Sequence, residues 1–157
     1  MLQQAADAVA PSTVREEVLK QHRAVRALLQ NGLSRTRATQ RRGESDLPDV
    51  AGLVHEIRRR FRAHLAFEEH VLVPVLSSAD LWGPERVRNL TEEHTRQRQQ
   101  LDALLEGIAH GWDRERLSQA LRTLATDLLR DMEEEERDYL GPDLLHDDPI
   151  VVDQVSD

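Results

Sequence analysis

The sequence contains no cysteine, and only 3% of its residues are aromatic. Without cysteine the chain has no disulfide, no thiolate metal site and no cysteine nucleophile. It also lacks an apolar run of the roughly 20 residues that a membrane-spanning helix requires. The first residues, MLQQAADAVAPSTV, have neither the basic start nor the apolar core of a signal peptide. We therefore expect a soluble, cytoplasmic protein without a membrane partner.

Positive charge is also in short supply, since the formal net charge is −8 at pH 7. General nucleic-acid binding needs a clustered basic surface, so we expect no nucleic-acid partner. One basic stretch, RTRATQRR at residues 35–42, is expected to lie in a solvated loop. The length of 157 residues fits a single domain with a core of its own.

Charged residues make up 32% of the chain, and Leu, Val and Ala dominate the apolar set. Such a composition is typical of an all-helical protein with long exposed faces. Apolar residues recur at spacings of three and four, which indicates amphipathic helices. Gly32 is expected to end the first helix as a left-handed cap, and Pro74 to kink or end the second. The predicted helices run from about 14 to 31, from 48 to 76, from 84 to 108 and from 113 to 141.

These segments predict an all-α fold, an antiparallel up-down-up-down four-helix bundle at residues 11–142. The linkers are short enough to join antiparallel neighbours. We expect an irregular loop at residues 33–47. A C-terminal tail at residues 143–157 either packs through Ile150 and Val151 or stays loose.

Ionisable side chains interrupt the apolar stripe of every predicted helix. Burying an unpaired carboxylate costs several kcal/mol or shifts its pKa strongly, so such residues need partners. A single buried histidine would be ordinary, but a set contributed by all the helices indicates a shared site. The residues are His22, His64, Glu68, His94, Asp131 and Glu135.

Two pairs in this set have the spacing of metal ligands, because residues four apart lie on one helix face. His64 and Glu68 can reach one metal ion, or two adjacent ions with the glutamate bridging them. Asp131 and Glu135 can do the same from the fourth helix, and the histidines of the other helices complete the shell. Imidazole and carboxylate together suit iron, manganese or zinc. The alternative is a buried hydrogen-bond network without metal, which is hard to satisfy fully.

The set resembles the hemerythrin-like family of HHE cation-binding domains over nearly the whole chain. The family pattern is a His on the first helix, His-x-x-x-Glu on the second, a His on the third and His-x-x-x-Glu on the fourth. The chain matches with His22, His64-x-x-x-Glu68, His94 and Glu135. The resemblance implies two iron ions between the helices, with Glu68 and Glu135 bridging and the three histidines as terminal ligands.

A non-haem di-iron protein of this kind binds or reacts with O2, peroxide or nitric oxide. An oxo or hydroxo group can bridge the two Fe ions. Zn or Mn is less favoured than Fe as the bound metal. Two alternatives stay open: an oxygen-activating di-iron enzyme that oxidises a small organic substrate, and an iron or oxygen sensor. A metal-free bundle is the remaining possibility.

The chain departs from the family pattern at two positions. Asp131 stands where the family has histidine, and we expect Asp131, or alternatively Glu134, to ligate in its place. Arg98 stands where oxygen carriers of the family have a further histidine; it cannot ligate and is expected to reach the surface. More carboxylate in the ligand set predicts oxidation or oxygen activation rather than reversible oxygen binding. His70 is expected off the ligand face, and Glu69 in solvent or hydrogen-bonded to a ligand.

Overall fold

The computed structural model describes residues 9–42 and 47–147, except for the side chains of residues 39–42 and 47–49. The described chain is helical and contains no strand, so the predicted all-α four-helix bundle is confirmed. The elements are α1 Pro11–Arg42, α2 Leu47–Phe67, the π-helical segment Glu68–Leu72, α3 Val73–Ser77, α4 Gly83–Ala109 and α5 Arg114–Asp138. Helix α2, the π-helical segment and α3 follow one another without leaving helical backbone angles, and together they form one rod of the bundle; α1, α4 and α5 are the other rods.

The apolar core is divided into two clusters by a polar layer. Each helix carries its ionisable residue between apolar residues of the two clusters, so the layer crosses the bundle. On α1, for example, Val14 and Val18 belong to one cluster, Val25 and Leu29 to the other, and His22 lies between them. Fully burying one such aliphatic side chain contributes about 1.5–3 kcal/mol to the stability of the fold. The flanking clusters can therefore offset the free-energy cost of burying the polar layer.

Helix α1 is longer than the sequence predicted, and the expected loop is wrong for residues 33–42, which are helical. Gly32 does not end the helix. A Cβ atom at Gly32 would lie 2.8 Å from Leu53 Cδ2, so the glycine allows α1 and α2 to approach closely. Beyond it, Thr36 is buried and its hydroxyl donates to the Leu33 carbonyl oxygen at 2.9 Å, which continues the inward-facing stripe of the helix.

The segment that follows α5 packs back onto the start of α1. Leu145 is buried in the same cluster as Val14, and the Ser12 backbone N–H donates to Asp147 Oδ1 at 2.9 Å. Ile150 and Val151, which were expected to pack or stay loose, lie outside the described residues. The division into a bundle at 11–142 and a tail therefore stays a prediction. None of the described helices combines the length and the apolar character that crossing a membrane requires.

Candidate metal centre

Glu68 lies at the centre of the polar layer, with no solvent exposure. Its Oε1 atom is 3.0 Å from His64 Nε2 and 3.5 Å from His22 Nε2. Its Oε2 atom is 3.0 Å from His94 Nε2. One carboxylate therefore faces histidines on both sides, the arrangement expected of a residue that bridges two metal positions.

Glu135 brings the remaining helix, α5, into this group. It is 5% exposed, and its Oε2 atom is 3.8 Å from His22 Nε2. All rods of the bundle thus contribute a side chain to one buried set. We call it the Glu68 cluster, which consists of His22, His64, Glu68, His94 and Glu135.

The histidines of the Glu68 cluster are all held by the ring nitrogen that points away from Glu68. In each ring Nδ1 lies at hydrogen-bond distance from a side-chain oxygen, which can only accept, so Nδ1 carries the proton. The neutral ring then presents the lone pair of Nε2 to Glu68, as a metal ligand requires. The pairs are His22 with Glu136 at 2.9 Å, His64 with Gln21 at 3.1 Å and His94 with Glu69 at 3.1 Å.

The inner atoms of the cluster are left without hydrogen bonds. Both carboxylate oxygens of Glu68, the Nε2 atoms of His22 and His94, and Oε1 of Glu135 are buried without a hydrogen-bond partner. Lone pairs that face each other at 3.0 to 3.8 Å repel unless a positive charge lies between them. Donor atoms of His22, His64 and Glu68 all lie within 4.8 Å of one another, so a metal ion fits among them.

The two glutamates of the cluster have opposite pKa shifts. Burial raises the pKa of Glu68, but positive charge at the position of the facing histidines, His64 first, outweighs burial and lowers it well below its ordinary value; with neutral rings a bound cation would supply that charge. Burial, together with the negative charge of Glu68, raises the pKa of Glu135 well above its ordinary value. Two carboxyl groups buried in the same cluster are both anionic only when a cation lies beside them, and a metal ion would supply that charge.

A π-helical turn keeps Glu68 in line with the core. The backbone N–H of Val73 donates to the Glu68 carbonyl, a bond that spans five residues, and Pro74 follows without an N–H of its own. Core residues on this rod recur every four positions, which in a regular α-helix drifts by about 40° per repeat. The wider turn corrects that drift, so Glu68, Leu72 and Leu76 all face inward. The helix does not end at Pro74, because α3 continues to Ser77 and the π-helical turn lies just before the proline.

Arg98 and Glu69 form an ion pair behind His94. The guanidinium lies 2.7 Å from Glu69 Oε1 and donates to Oε2 at 2.9 Å, and the hydrogen bond from Arg98 lowers the pKa of Glu69. Arg98 is 32% exposed, so it reaches the surface as expected and in addition pairs with Glu69. Of the two possibilities for Glu69, the structure shows the hydrogen bond to a candidate ligand. An equivalent pair that was not predicted lies behind His22, where Arg26 donates to Glu136 at 3.2 Å.

Asp131 is buried but engaged elsewhere. Its Oδ2 atom accepts from Arg96 at 3.0 Å and from the Gln97 amide at 3.2 Å, and its Oδ1 atom accepts from Arg130 at 3.3 Å. Its role as a ligand stays a prediction, as do the roles of the Glu68 cluster. The alternative residue, Glu134, is exposed. His70 is exposed as expected, and its Nδ1 atom bonds to the Ala66 carbonyl at 2.7 Å.

A four-helix bundle with buried histidines and carboxylates converging in its core defines a metal-binding helical protein. The chain matches the family model of the hemerythrin HHE cation-binding domain over residues 13–141. It belongs to that family, and the resemblance seen in the sequence is confirmed. No curated protein and no solved structure matches the chain.

Proposed function

We propose that the Glu68 cluster binds iron, and that the bound metal reacts with O2, peroxide or nitric oxide. One observation carries the proposal: Nε2 atoms of histidines from three rods converge on both oxygens of a single fully buried carboxylate. Membership of the hemerythrin HHE family supports iron as the metal. As in the sequence-based expectation, the positions on the two sides of Glu68 would hold two iron ions, with Glu135 as the second bridging candidate.

The residues around the cluster are suited to this role. Bound iron would supply one-electron chemistry toward small oxidants at a mixed nitrogen and oxygen ligand set. Glu69 and Glu136 fix the tautomer and the ring orientation of their histidines and make the Nε2 lone pairs more basic. The apolar clusters on both sides limit the access of bulk water to the layer.

The enzyme alternative would need a cavity for an organic substrate beside the cluster. A cavity of about 720 Å³ lies against the outer side of the π-helical segment, where His70, Val71 and Pro74 contribute to its lining. None of its lining residues belongs to the Glu68 cluster. This cavity therefore gives no support to an organic substrate at the cluster, and the proposal concerns small diatomic or peroxide ligands.

The cytoplasmic location stays part of this proposal, and fractionation of the producing cells would test it.

The test begins with the iron content of protein purified from an iron-supplied culture, measured by elemental mass spectrometry. The reduced protein is then exposed in turn to O2, peroxide and nitric oxide while its absorption spectrum is recorded. We expect bound iron and a spectral change with at least one of these ligands. Glu68→Gln should lose both, and His70→Ala, which changes an exposed histidine of the same segment, should keep both. An iron-free wild-type protein that also fails to take up iron in vitro would overturn the proposal.

A further inference from the structure

The Glu68 cluster is built from two halves of similar pattern. In one half, α1 carries His22-x-x-x-Arg26 and the second rod carries His64-x-x-x-Glu68-Glu69. In the other half, α4 carries His94-x-x-x-Arg98 and α5 carries Asp131-x-x-x-Glu135-Glu136. The two halves therefore match at the named motif positions with one difference: Asp131 stands where His64 stands in the first half.

Contacts between the halves follow the same pattern. Glu136 of the second half lies 2.9 Å from His22 Nδ1 and accepts from Arg26 at 3.2 Å. Glu69 of the first half lies 3.1 Å from His94 Nδ1 and pairs with Arg98 at 2.7 Å. Each half thus orients the histidine of the other with a glutamate that is itself fixed by an arginine. The outer support of the site is equivalent on both sides.

The inner donors are not equivalent. We define the first metal position by His22, His64 and Glu68, and the second by the matching residues His94, Asp131 and Glu135. The donor atoms of the first position lie within 4.8 Å of one another, and among the described residues this is the one group that meets that condition.

In the second position Asp131 is held away by an ion pair. Arg96 and Gln97 both donate to its Oδ2 atom, and Arg130 donates to Oδ1. Gln97 has no counterpart in the first half, where the equivalent place three residues after the histidine is taken by Val25. The aspartate that replaces the histidine in the second half is therefore bonded to residues, such as Gln97, that the first half does not have. A metal ion that entered the second position would have to break the Arg96–Asp131 pair and approach a fixed positive charge.

We propose that the two metal positions are unequal: the first binds metal tightly, and the Arg96–Asp131 ion pair keeps the second weak. This inference rests on the proposed function, since it concerns the same metal site. It gives the protein one tightly held iron, with a second that is bound only at high metal concentration.

The test is a titration of the metal-free full-length protein with Fe(II) under anaerobic conditions, with bound metal measured by equilibrium dialysis and elemental mass spectrometry. We expect one tight equivalent and a second that is weaker by about tenfold or more. His64→Ala should remove the tight equivalent, whereas His94→Ala should leave it in place. Circular dichroism of each variant verifies that the bundle has folded.

Two further variants address the ion pair. Arg96→Gln should tighten the second equivalent about tenfold, because it removes the charge of Arg96 and one of the hydrogen bonds that hold Asp131, leaving those from Gln97 and Arg130. Arg96→Gln combined with Asp131→His should give two equivalents of similar affinity. Arg88→Gln is the matched control, because Arg88 is an exposed arginine of the same helix whose ion-pair partner is Glu85, and it should change neither affinity.

The outcomes separate the two proposals. Two equally tight equivalents in the wild type would overturn the inference and leave the proposed function standing. No Fe(II) binding at all would overturn both. A weak second equivalent that Arg96→Gln does not tighten would overturn the role of the ion pair, and loss of the tight equivalent in His94→Ala rather than His64→Ala would reverse the order of the positions.

Discussion

Individual residues of the cluster depend on partners that lie outside it. His22 offers its Nε2 atom inward because Glu136 holds Nδ1, and Glu136 is in turn held by Arg26. A hydrogen bond of this type fixes the tautomer of a ligand, and its loss commonly costs 10–100-fold in metal affinity. The supporting residues should therefore be visible in metal binding although none of them is a candidate ligand.

Glu136→Gln tests this dependence. A neutral amide is a weaker acceptor for the His22 ring N–H and no longer pairs with Arg26, so we expect Fe(II) affinity to fall about 10–100-fold. Competition with a chromophoric chelator would measure the change. Glu134→Gln is the control, since Glu134 is an exposed acid two residues away, and it should have no effect. Equal affinities for wild type and Glu136→Gln would show that the histidine is oriented without this hydrogen bond.

The sequence predicted which ionisable side chains are buried, because spacings of three and four fix the inward face of a helix. His22, His64 and Glu68 are buried, and so are the corresponding residues of α4 and α5. The supporting pairs could not be found in this way, since Glu136 and Arg26 come from different helices and meet only through packing. A repeated His-x-x-x-Arg was the available signal, at residues 22–26 and 94–98.

At the scale of helices, the sequence predicted their number and approximate positions but not two local features. A glycine at position 32 indicated the end of a helix, yet its lack of a side chain serves the approach of α2 instead. The π-helical turn at Glu68–Leu72 also has no sequence signature beyond the following proline. Its cause is the need to keep residues spaced by four on one face over several turns.

Deletion of His70 tests the π-helical turn, because a π-helical turn contains one residue more than the α-helical turn that would replace it. Removing that residue should leave a regular α-helix and keep Leu72 and Leu76, both fully buried, on the inward face. Deletion of Glu92, an exposed residue within the regular helix α4, is the control, because it should rotate the residues that follow by about 100°. We expect the Glu92 deletion to lower the unfolding free energy by at least about 2 kcal/mol and the His70 deletion to lower it by less. Urea denaturation followed by circular dichroism measures both, and equal losses would show that the π-helical turn does not hold one additional residue.

At the scale of the whole molecule, the polar layer lowers the stability of the bundle when no cation is bound. It separates the two apolar clusters and contains buried atoms of His22, Glu68, His94 and Glu135 that have no hydrogen-bond partner. Each buried polar group without a partner costs about 1–3 kcal/mol. A metal ion that binds between the rods compensates these groups and joins the helices that carry them. Metal content should therefore determine global stability as well as reactivity.

We expect removal of the metal by a chelator to lower the unfolding temperature by about 5 °C or more. A ligand present at 100 times its dissociation constant adds about 2.7 kcal/mol, and in a chain of this size each kcal/mol shifts the transition by about 2–4 °C. Glu68→Gln distinguishes the effect of the missing cation from the effect of the buried carboxylate. The amide of the variant can donate to a histidine Nε2 atom that lacks a partner, which the carboxylate cannot do. The metal-free variant should unfold at or above the temperature of the metal-free wild type and gain nothing from added Fe(II). Scanning calorimetry of both proteins with and without iron measures this; a wild type that is equally stable in both states would show that the layer needs no cation.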